Sequence, residues 1–286
     1  MPVQYEITPL SELPLRNDFM FGEVMRTSEI CQLFLEELLS IKIRRIEFID
    51  KQKDLSDSYT YHGIRLDVYL KDEAGTVFNV EMQSAKNDEL PRRARYYQGA
   101  IDRSELPKAV NYDELPESYV IFVCNFDYFH IGKAVGERVS FLKGTETAYN
   151  DGSHVFFLNS HYTEANASAS ILEFLDMIRT NDLEKTYETP LGQKAKARVQ
   201  AVRSDRALEV PYMTYAQKML DERRLAYNEG LIEGEARGEA KGEARGRAET
   251  LKNAVLAMKD LAEPADIAHR LKLSLEQVLK ILSQGD

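Results

Sequence analysis

The chain has 286 residues, of which 43% are hydrophobic and 29% are charged, and its formal net charge is −10 at pH 7. This length suits one sizeable core domain plus an appendage, and the composition is that of an ordinary globular protein. The negative charge argues against a protein that coats nucleic acid through bulk positive charge, but it leaves room for a local basic cleft. The sequence has no disulfide framework, no secretory signal pattern and no apolar run of about 18 residues. We therefore expect a cytoplasmic protein without a membrane segment.

The first predicted elements are two helices between residues 18 and 40, with a break near Thr27 and Ser28. Ser28 is the predicted N-cap of the second helix, because a serine side chain can accept a hydrogen bond from the first helical turn. Apolar residues then recur at helical spacing, at Ile30, Leu33, Phe34 and Leu38. A strand is predicted next, from Ile43 to Asp50.

The segment from Gly63 to Gln83 predicts a β-hairpin. Its apolar residues alternate with polar ones on both sides of a turn at residues 72–75. The alternating apolar positions are Ile64, Leu66, Val68, Leu70, Phe78, Val80 and Met82. Pairing Lys71 with Val77 places Asp67 directly opposite Glu81, on the polar face that Glu81 shares with Asn79 and Gln83.

Two carboxylates that face each other on one sheet surface repel, so this register calls for a compensating partner. A divalent cation with oxygen ligands would serve, since Mg²⁺ is commonly held by one or two carboxylates together with a phosphate of the substrate. The alternative is a solvated hairpin face on which both carboxylates point into water. The strand pattern by itself does not require the metal.

The order of these residues resembles a known signature. Asp67 followed by Glu81-Met82-Gln83 on the next strand is similar to the Asp…(Asp/Glu)-x-Lys pattern of the PD-(D/E)XK nuclease superfamily. It resembles most closely the recombination-promoting nuclease (Rpn) branch, also described as transposases, in which Gln commonly replaces the Lys. Further segments share the resemblance: Arg16 to Phe21, Tyr119 to Asp127, Phe156 to Asn159, Tyr212-Met213 and the Gly-Glu-Ala repeats. Gly22 departs from it, since a Lys is expected after Phe21.

The resemblance implies an α/β fold of the restriction-endonuclease type, a mixed sheet flanked by helices, with a helical C-terminal extension. It also implies a metal-dependent DNA endonuclease that acts in recombination or transposition. Asp67, Glu81 and Gln83 would be catalytic, with Asp67, Glu81 and the Met82 carbonyl holding Mg²⁺ or Mn²⁺. The metal would activate water and stabilise charge on the phosphate. Gln83 would orient water or substrate but lacks the charge of Lys, which predicts modest activity.

Two more acidic residues are candidates for this site by the same resemblance, because an early helix in the superfamily can contribute one. These are Asp18 and Glu23, although Asp18 could equally cap its helix. Two other functions remain open at this point. One is a catalytically weak or inactive nuclease fold that binds DNA or a protein partner, and the other is a structural oligomer.

A helix from Leu90 to Asp102 follows the hairpin and carries a basic cluster, Arg92, Arg93 and Arg95, next to Tyr96 and Tyr97. These side chains could contact a DNA backbone and stack on bases. The alternative is a solvated basic face backed by tyrosines that pack on the sheet. Three more strands and a helix complete the predicted α/β sandwich: Tyr119 to Asn125, Glu137 to Leu142, Val155 to Leu158, and the helix Ile171 to Ile178.

The predicted division of the chain is a nuclease domain at 1–190, a helical arm at 191–229 broken at Pro211, a four-residue repeat at 230–249, and a helix-turn-helix-like module at 250–286. The repeat places Glu235, Glu239 and Glu243 in one helical row, roughly opposite the basic row of Arg237, Lys241 and Arg245. A second copy could pair with these rows and form a homo-oligomer; the alternative is a charged spacer.

In the last module, Ser274 and Gln277 predict a capping box. Lys280 is the only basic residue of its last helix, so packing explains this module at least as well as DNA reading.

Overall fold

A computed structural model describes residues 7–48, 67–86, 89–107 and 109–283. Its helices are α1 (Asp18–Met25), α2 (Ser28–Leu39), α3 (Leu90–Glu105), α4 (Ala169–Thr180), α5 (Pro190–Ser204), α6 (Glu209–Ala257), α7 (Pro264–Leu271) and α8 (Leu275–Ser283). Its strands are β1 (Ile46–Phe48), β2 (Val68–Asp72), β3 (Val77–Gln83), β4 (Ser118–Cys124), β5 (Val135–Glu137) and β6 (Ser153–Asn159). The chain divides into two compact units, Met1–Tyr215 and Ala216–Asp286.

The six strands form one mixed sheet in the order β1-β2-β3-β4-β6-β5. Strands β1, β2 and β3 are antiparallel neighbours, whereas β3, β4 and β6 run parallel. Lys71 pairs with Val77, so the predicted hairpin register is confirmed. Since parallel neighbours need a crossover connection, the chain passes through α3 between β3 and β4. The start of the hairpin at Ile64 and Leu66 lies outside the described residues.

Both faces of the sheet are covered. On one face, Ala94, Tyr97 and Ile101 of α3 pack in a buried cluster with Val120 and Phe122 of β4. Strand residues that point the other way, such as Phe78, Val80 and Ile121, are also fully buried. Helices α1, α2, α4 and α5 pack on one another, with the Phe174 ring of α4 contacting the rings of Phe21 and Phe34. The predicted α/β fold, a mixed sheet flanked by helices, is therefore confirmed.

Some predicted boundaries differ from the structure. Thr27, whose backbone is extended, is the N-cap of α2, so the prediction that Ser28 caps this helix is wrong. The first strand starts at Ile46 rather than Ile43, and Asp50 lies outside the described residues. The strand predicted from Glu137 to Leu142 is instead Val135–Glu137. The apolar residues beyond it, including Val139 and Phe141, are exposed, so their alternation does not mark a half-buried strand.

The predicted break at Pro211 is also wrong. Pro211 is the third residue of α6. Proline is tolerated in the first helical turn because the N–H that it lacks would have no carbonyl partner within the helix there. The break occurs earlier, in the 3₁₀ turn Arg206–Leu208, where the Asp205 side chain accepts a hydrogen bond from the N–H of Ala207. Tyr212 then donates a hydrogen bond to the carbonyl of Thr8.

The second unit has its own small core, formed by Val255, Ile267, Ala268 and Val278. The predicted capping box is confirmed: the Ser274 N–H donates to Gln277 Oε1 at 2.9 Å, and the Gln277 N–H donates to Ser274 Oγ at 3.2 Å. The repeat side chains on α6 are exposed. None of the described helices combines the length and the apolar character needed to cross a membrane.

Candidate active site

Asp67 and Glu81 meet across the β2–β3 pair, as the hairpin register predicts. The Asp67 N–H donates to Glu81 Oε1 at 3.2 Å, and the Met82 N–H donates to Asp67 Oδ2 at 2.9 Å. Each carboxylate is thus held by a backbone N–H of the opposite strand. This reciprocal arrangement fixes two acidic side chains side by side at the end of the hairpin.

The acidic pair is not on a solvated face, so that alternative is wrong. Glu81 is only 2% exposed, and Asn79 and Gln83 on the same face are buried with it. Burial raises the pKa of Glu81 well above its ordinary value and the charge of Asp67 raises it further, while the Asp67 N–H and Arg93 act in the opposite direction. The Asn79 amide is near enough to favour the ionised form, although it makes no hydrogen bond of normal geometry among the described residues. A second positive charge would relieve this repulsion.

Arg93, in the first turn of α3, supplies one positive charge at the site. Its Nη1 donates to Gln83 Oε1 at 2.7 Å, its Nη2 donates to the Tyr97 hydroxyl at 2.8 Å, and Nη2 lies 3.8 Å from Glu81 Oε2. The guanidinium carbon lies 5.4 Å from the Tyr97 ring centroid and 5.8 Å from that of Phe122. Burial lowers the pKa of Arg93, but Tyr97 and the acidic pair outweigh it and leave the pKa raised. The guanidinium is therefore both charged and fixed in position.

Gln83 links this arginine to the backbone next to the acidic pair. Its Oε1 accepts from Arg93, and its Nε2 donates to the Met82 carbonyl oxygen at 2.8 Å. A carbonyl oxygen has two lone pairs, so this bond leaves the Met82 oxygen able to accept a second partner. Both ends of the Gln83 amide are thus engaged with protein groups.

Arg26 is a site residue that the sequence reasoning missed. Its Nη2 donates to the backbone carbonyl of Asp67 at 2.7 Å, and its Nη1 lies 4.0 Å from Glu23 Oε1. A Cβ on Gly22 would lie 2.7 Å from the Nη1 of Arg26, so the absence of a side chain at Gly22 makes room for the guanidinium. The sequence places Arg26 one helical turn after Gly22 on the same face, but no pattern in it indicates the contact with Asp67, 41 residues away.

The two other acidic residues predicted for the site are Asp18 and Glu23. Asp18 is exposed in the first turn of α1, and Asn17 caps that helix by accepting from the N–H of Phe19, so the capping role considered for Asp18 is wrong. Glu23 is held by Arg26 and by Arg198, whose Nη2 lies 3.5 Å from Glu23 Oε2. Glu23 therefore lies beside Arg26, which in turn contacts the Asp67 backbone.

The basic cluster of α3 divides into two parts. Arg92 and Arg95 are exposed, as a solvated face requires, whereas Arg93 is turned toward Glu81. Tyr97 packs on the sheet, but Tyr96 is exposed. Only Arg93 of the three arginines is thus in contact with the acidic pair.

The oxygen atoms at the site fit a hard divalent cation that also binds substrate. Within the described part of the chain, no three or more His, Cys, Asp and Glu side chains are grouped to hold a metal ion. Mg²⁺ does not need such a cage, because it keeps several waters and binds one or two carboxylates plus substrate phosphate. The carboxylates of Asp67 and Glu81 and the carbonyl of Met82 have this chemistry.

Comparison with known protein families identifies the family of this chain. A family profile described as PD-(D/E)XK nuclease family transposase matches residues 15–229, which include all six strands and α1 to α5. The chain belongs to this family. No curated protein and no solved structure gives a significant match. Membership in the PD-(D/E)XK family indicates a nuclease and agrees with the mixed sheet described above.

The burial of Glu81 gives a stability prediction. We expect Glu81→Gln to raise the free energy of unfolding by about 1 kcal/mol in a chelator at pH 8. The unfolded chain favours an ionised glutamate at this pH, whereas the buried site beside Asp67 raises its pKa and disfavours that form, and Gln keeps a side-chain oxygen that can accept from the Asp67 N–H. Urea denaturation followed by circular dichroism measures this change.

Glu105 provides the matched control, because it is a buried glutamate with favourable partners. It accepts from the Tyr69 hydroxyl at 3.0 Å and pairs with Lys71. Glu105→Gln should therefore lower the free energy of unfolding by about 1 kcal/mol. Equal destabilisation by both substitutions would contradict the repulsion described for Glu81.

Proposed function

We propose that this protein is a metal-dependent endodeoxyribonuclease that hydrolyses phosphodiester bonds in DNA. The observation that carries the proposal is the cross-strand pair of Asp67 and the buried Glu81, with the guanidinium of Arg93 beside it. Family membership supports the nuclease chemistry. The family description names a transposase, and we propose that the protein acts on DNA in the cytoplasm, in recombination or transposition.

In this proposal Asp67 and Glu81 hold Mg²⁺ or Mn²⁺, with the Met82 carbonyl as a further oxygen ligand. The bound metal supplies an activated water and stabilises negative charge on the phosphate. The chain itself fixes the ligands: the Met82 N–H orients the Asp67 carboxylate, and Arg26 holds the Asp67 backbone through its carbonyl. Ligands held in this way lose little freedom when they bind a cation.

We assign Arg93 the positive charge that Gln83 cannot provide. Arginine has five N–H donors, so the bonds to Gln83 and Tyr97 do not exhaust its capacity to bind a phosphate oxygen. A preorganised cation next to the scissile phosphate stabilises the charge that develops in the transition state. In this proposal Gln83 orients the guanidinium of Arg93. This role of Gln83 replaces the direct contact with water or substrate that the resemblance implied.

The alternative function is a catalytically weak or inactive fold that binds DNA or protein. A binding module gains nothing from a buried glutamate next to a second carboxylate, because that arrangement lowers stability without contributing to the surface. The presence of the pair therefore favours the enzyme. Arg92 and Arg95, both exposed on α3, suit contacts with the DNA backbone in either case.

The first test is metal-dependent nicking of supercoiled plasmid. The wild type should nick the plasmid with Mg²⁺ or Mn²⁺ and not with a chelator, whereas Asp67→Ala should show only background. Asp113→Ala, which removes an exposed carboxylate before β4, should behave as wild type. Equal nicking by wild type and Asp67→Ala would show that the site is elsewhere. Absence of nicking with DNA binding retained would favour the binding module.

A charge exchange tests the role of Arg93. Arg93→Ala should lower kcat by roughly 100-fold with a smaller change in KM, because the guanidinium acts on transition-state charge. Gln83→Lys alone should give no gain, since it places a second cation beside Arg93. The double variant Gln83→Lys/Arg93→Ala should recover much of the lost rate.

Arg92→Ala is the control for the charge exchange, because Arg92 is exposed on the same helix and should affect DNA affinity without changing kcat. If the double variant is no better than Arg93→Ala, or if Arg93→Ala changes only KM, the catalytic assignment of Arg93 is wrong. Circular dichroism of each variant identifies any loss of folding.

We also propose that the repeat on α6 pairs with a second copy of the chain. Each glycine in a helix costs about 1 kcal/mol relative to alanine, and the five repeat glycines have open space around them. Ion pairs within the helix, such as Arg237 with Glu233 at 3.2 Å, are exposed and contribute little. Opposite charged rows on two copies would offset these costs at the close approach that glycine allows.

Complementary charge reversals test this pairing. Reversing the basic row (Arg237, Lys241 and Arg245 to Glu) or the acidic row (Glu235, Glu239 and Glu243 to Lys) should each give a monomer by light scattering. Mixing the two variants should restore a dimer, because the reversed rows attract each other again. A monomeric wild type would exclude the proposal, and so would a dimer that both reversals leave unchanged.

A further inference from the structure

A row of aromatic side chains leads from the acidic pair across the sheet. Glu81 on β3 is in register with Phe122 on β4, and Phe122 is in register with Phe157 on β6, so the three side chains share one face. The Phe122 and Phe157 rings stack with centroids 5.5 Å apart, and the Arg93 guanidinium carbon lies 5.8 Å from the Phe122 ring. Phe157 is two strands from Glu81, which corresponds to roughly 10 Å.

The row ends in solvent, in the loop that follows β4. Phe129 meets the Phe157 ring edge-on at 4.9 Å, and Tyr128 stacks on Phe157 at 6.2 Å. Phe129 is 46% exposed and Ile131 is 53% exposed. We refer to Phe129 and Ile131, with Tyr128 and Phe157 beneath them, as the aromatic patch. It is an open apolar surface on the same sheet face as the acidic pair.

Hydrogen bonds of the loop backbone fix the position of the aromatic patch. The Gly132 N–H donates to Asp127 Oδ2 at 2.8 Å, and the Gly132 carbonyl accepts from the N–H groups of Thr163 and Glu164. Gly132 has a φ of +73°, and a Cβ there would lie 2.5 Å from Thr163 Oγ1, so only glycine fits. His130 also has a positive φ, of 55°, which is uncommon for a residue with a side chain. The exposed apolar tips are thus presented by a preorganised loop.

We propose that the aromatic patch binds an unpaired nucleobase next to the scissile phosphate, so that the preferred substrate is DNA with unpaired bases beside the cut. This rests on the proposed nuclease function, because a phosphate at the acidic pair places the neighbouring nucleotide near the patch. Bases stack on exposed aromatic rings regardless of sequence, whereas a base inside a duplex is already stacked and paired. The amine of Lys86, 3.4 Å from His130 Nε2, and the exposed Arg92 and Arg95 provide positive charge for the backbone.

The absence of tryptophan from the chain makes this proposal directly measurable. Phe129→Trp introduces a single tryptophan whose fluorescence is quenched when a base stacks on it. We expect quenching, in a chelator so that no cleavage is required, by a single-stranded oligonucleotide and by a duplex with a central bubble. The fully paired duplex of the same sequence should cause little change.

Tyr112→Trp is the matched control. Tyr112 is 84% exposed and precedes the N-terminal end of β4, whereas Phe129 follows the C-terminal end of the same strand. Its fluorescence should not respond to either form of DNA. In a separate binding assay, Phe129→Ala should weaken binding of the single strand by roughly 5- to 100-fold and leave duplex binding unchanged.

The outcomes separate this inference from the nuclease proposal. Quenching by the single strand without any nicking in Mg²⁺ would support the base site and contradict the nuclease function. Nicking without selective quenching, or a Phe129→Ala variant that binds the single strand as wild type does, would overturn the base site. A fluorescence change that follows protein concentration without DNA would show that a second copy covers the patch, and would also overturn it.

Discussion

The buried contact between Asp67 and Glu81 is the constraint on which the rest of the first unit depends. Two carboxylates in an interior of low polarity repel, and the protein offsets this through backbone N–H groups of the facing strand and through Arg93. Burial of Glu81 requires a helix over β3, and that helix is α3, which also carries Arg93. Hairpin, crossover helix and central strand β4 therefore form one structural unit around the acidic pair.

Gly22, which departs from the expected pattern, and Gln83, which stands where the wider superfamily has Lys, have a common physical explanation. Gly22 leaves space that Arg26 fills, and Gln83 accepts a hydrogen bond from Arg93, so each position that lacks a lysine lies beside an arginine from a helix. A guanidinium presents several donors in a rigid plane, whereas an ammonium is a compact point charge on a flexible stem. The positive charge at this site therefore comes from Arg26 and Arg93, whose side chains also connect helices to the hairpin.

One sheet face gathers the features that suit DNA, although the whole chain is acidic. The acidic pair, the exposed arginines of α3 and the aromatic patch all lie on the side that α3 covers. The net charge of −10 therefore says little about the site, because salt screens exposed charges that lie more than roughly 8–10 Å from a bound phosphate. The second unit is stabilised differently, by a small apolar core and a capping box.

The sequence by itself determined the features that depend on residues close together in the chain. Alternation and turn length determined the register that brings Asp67 to Glu81, and the spacing of Ser274 and Gln277 determined a helix cap. Only the tertiary structure decided that the polar face of β3 is buried, because that depends on how α3 packs. The tertiary structure also decided that Arg26 contacts Asp67, because these two residues are 41 positions apart in the chain. Local patterns encode neighbours along a strand or helix, whereas contacts between distant elements depend on packing that no short pattern records.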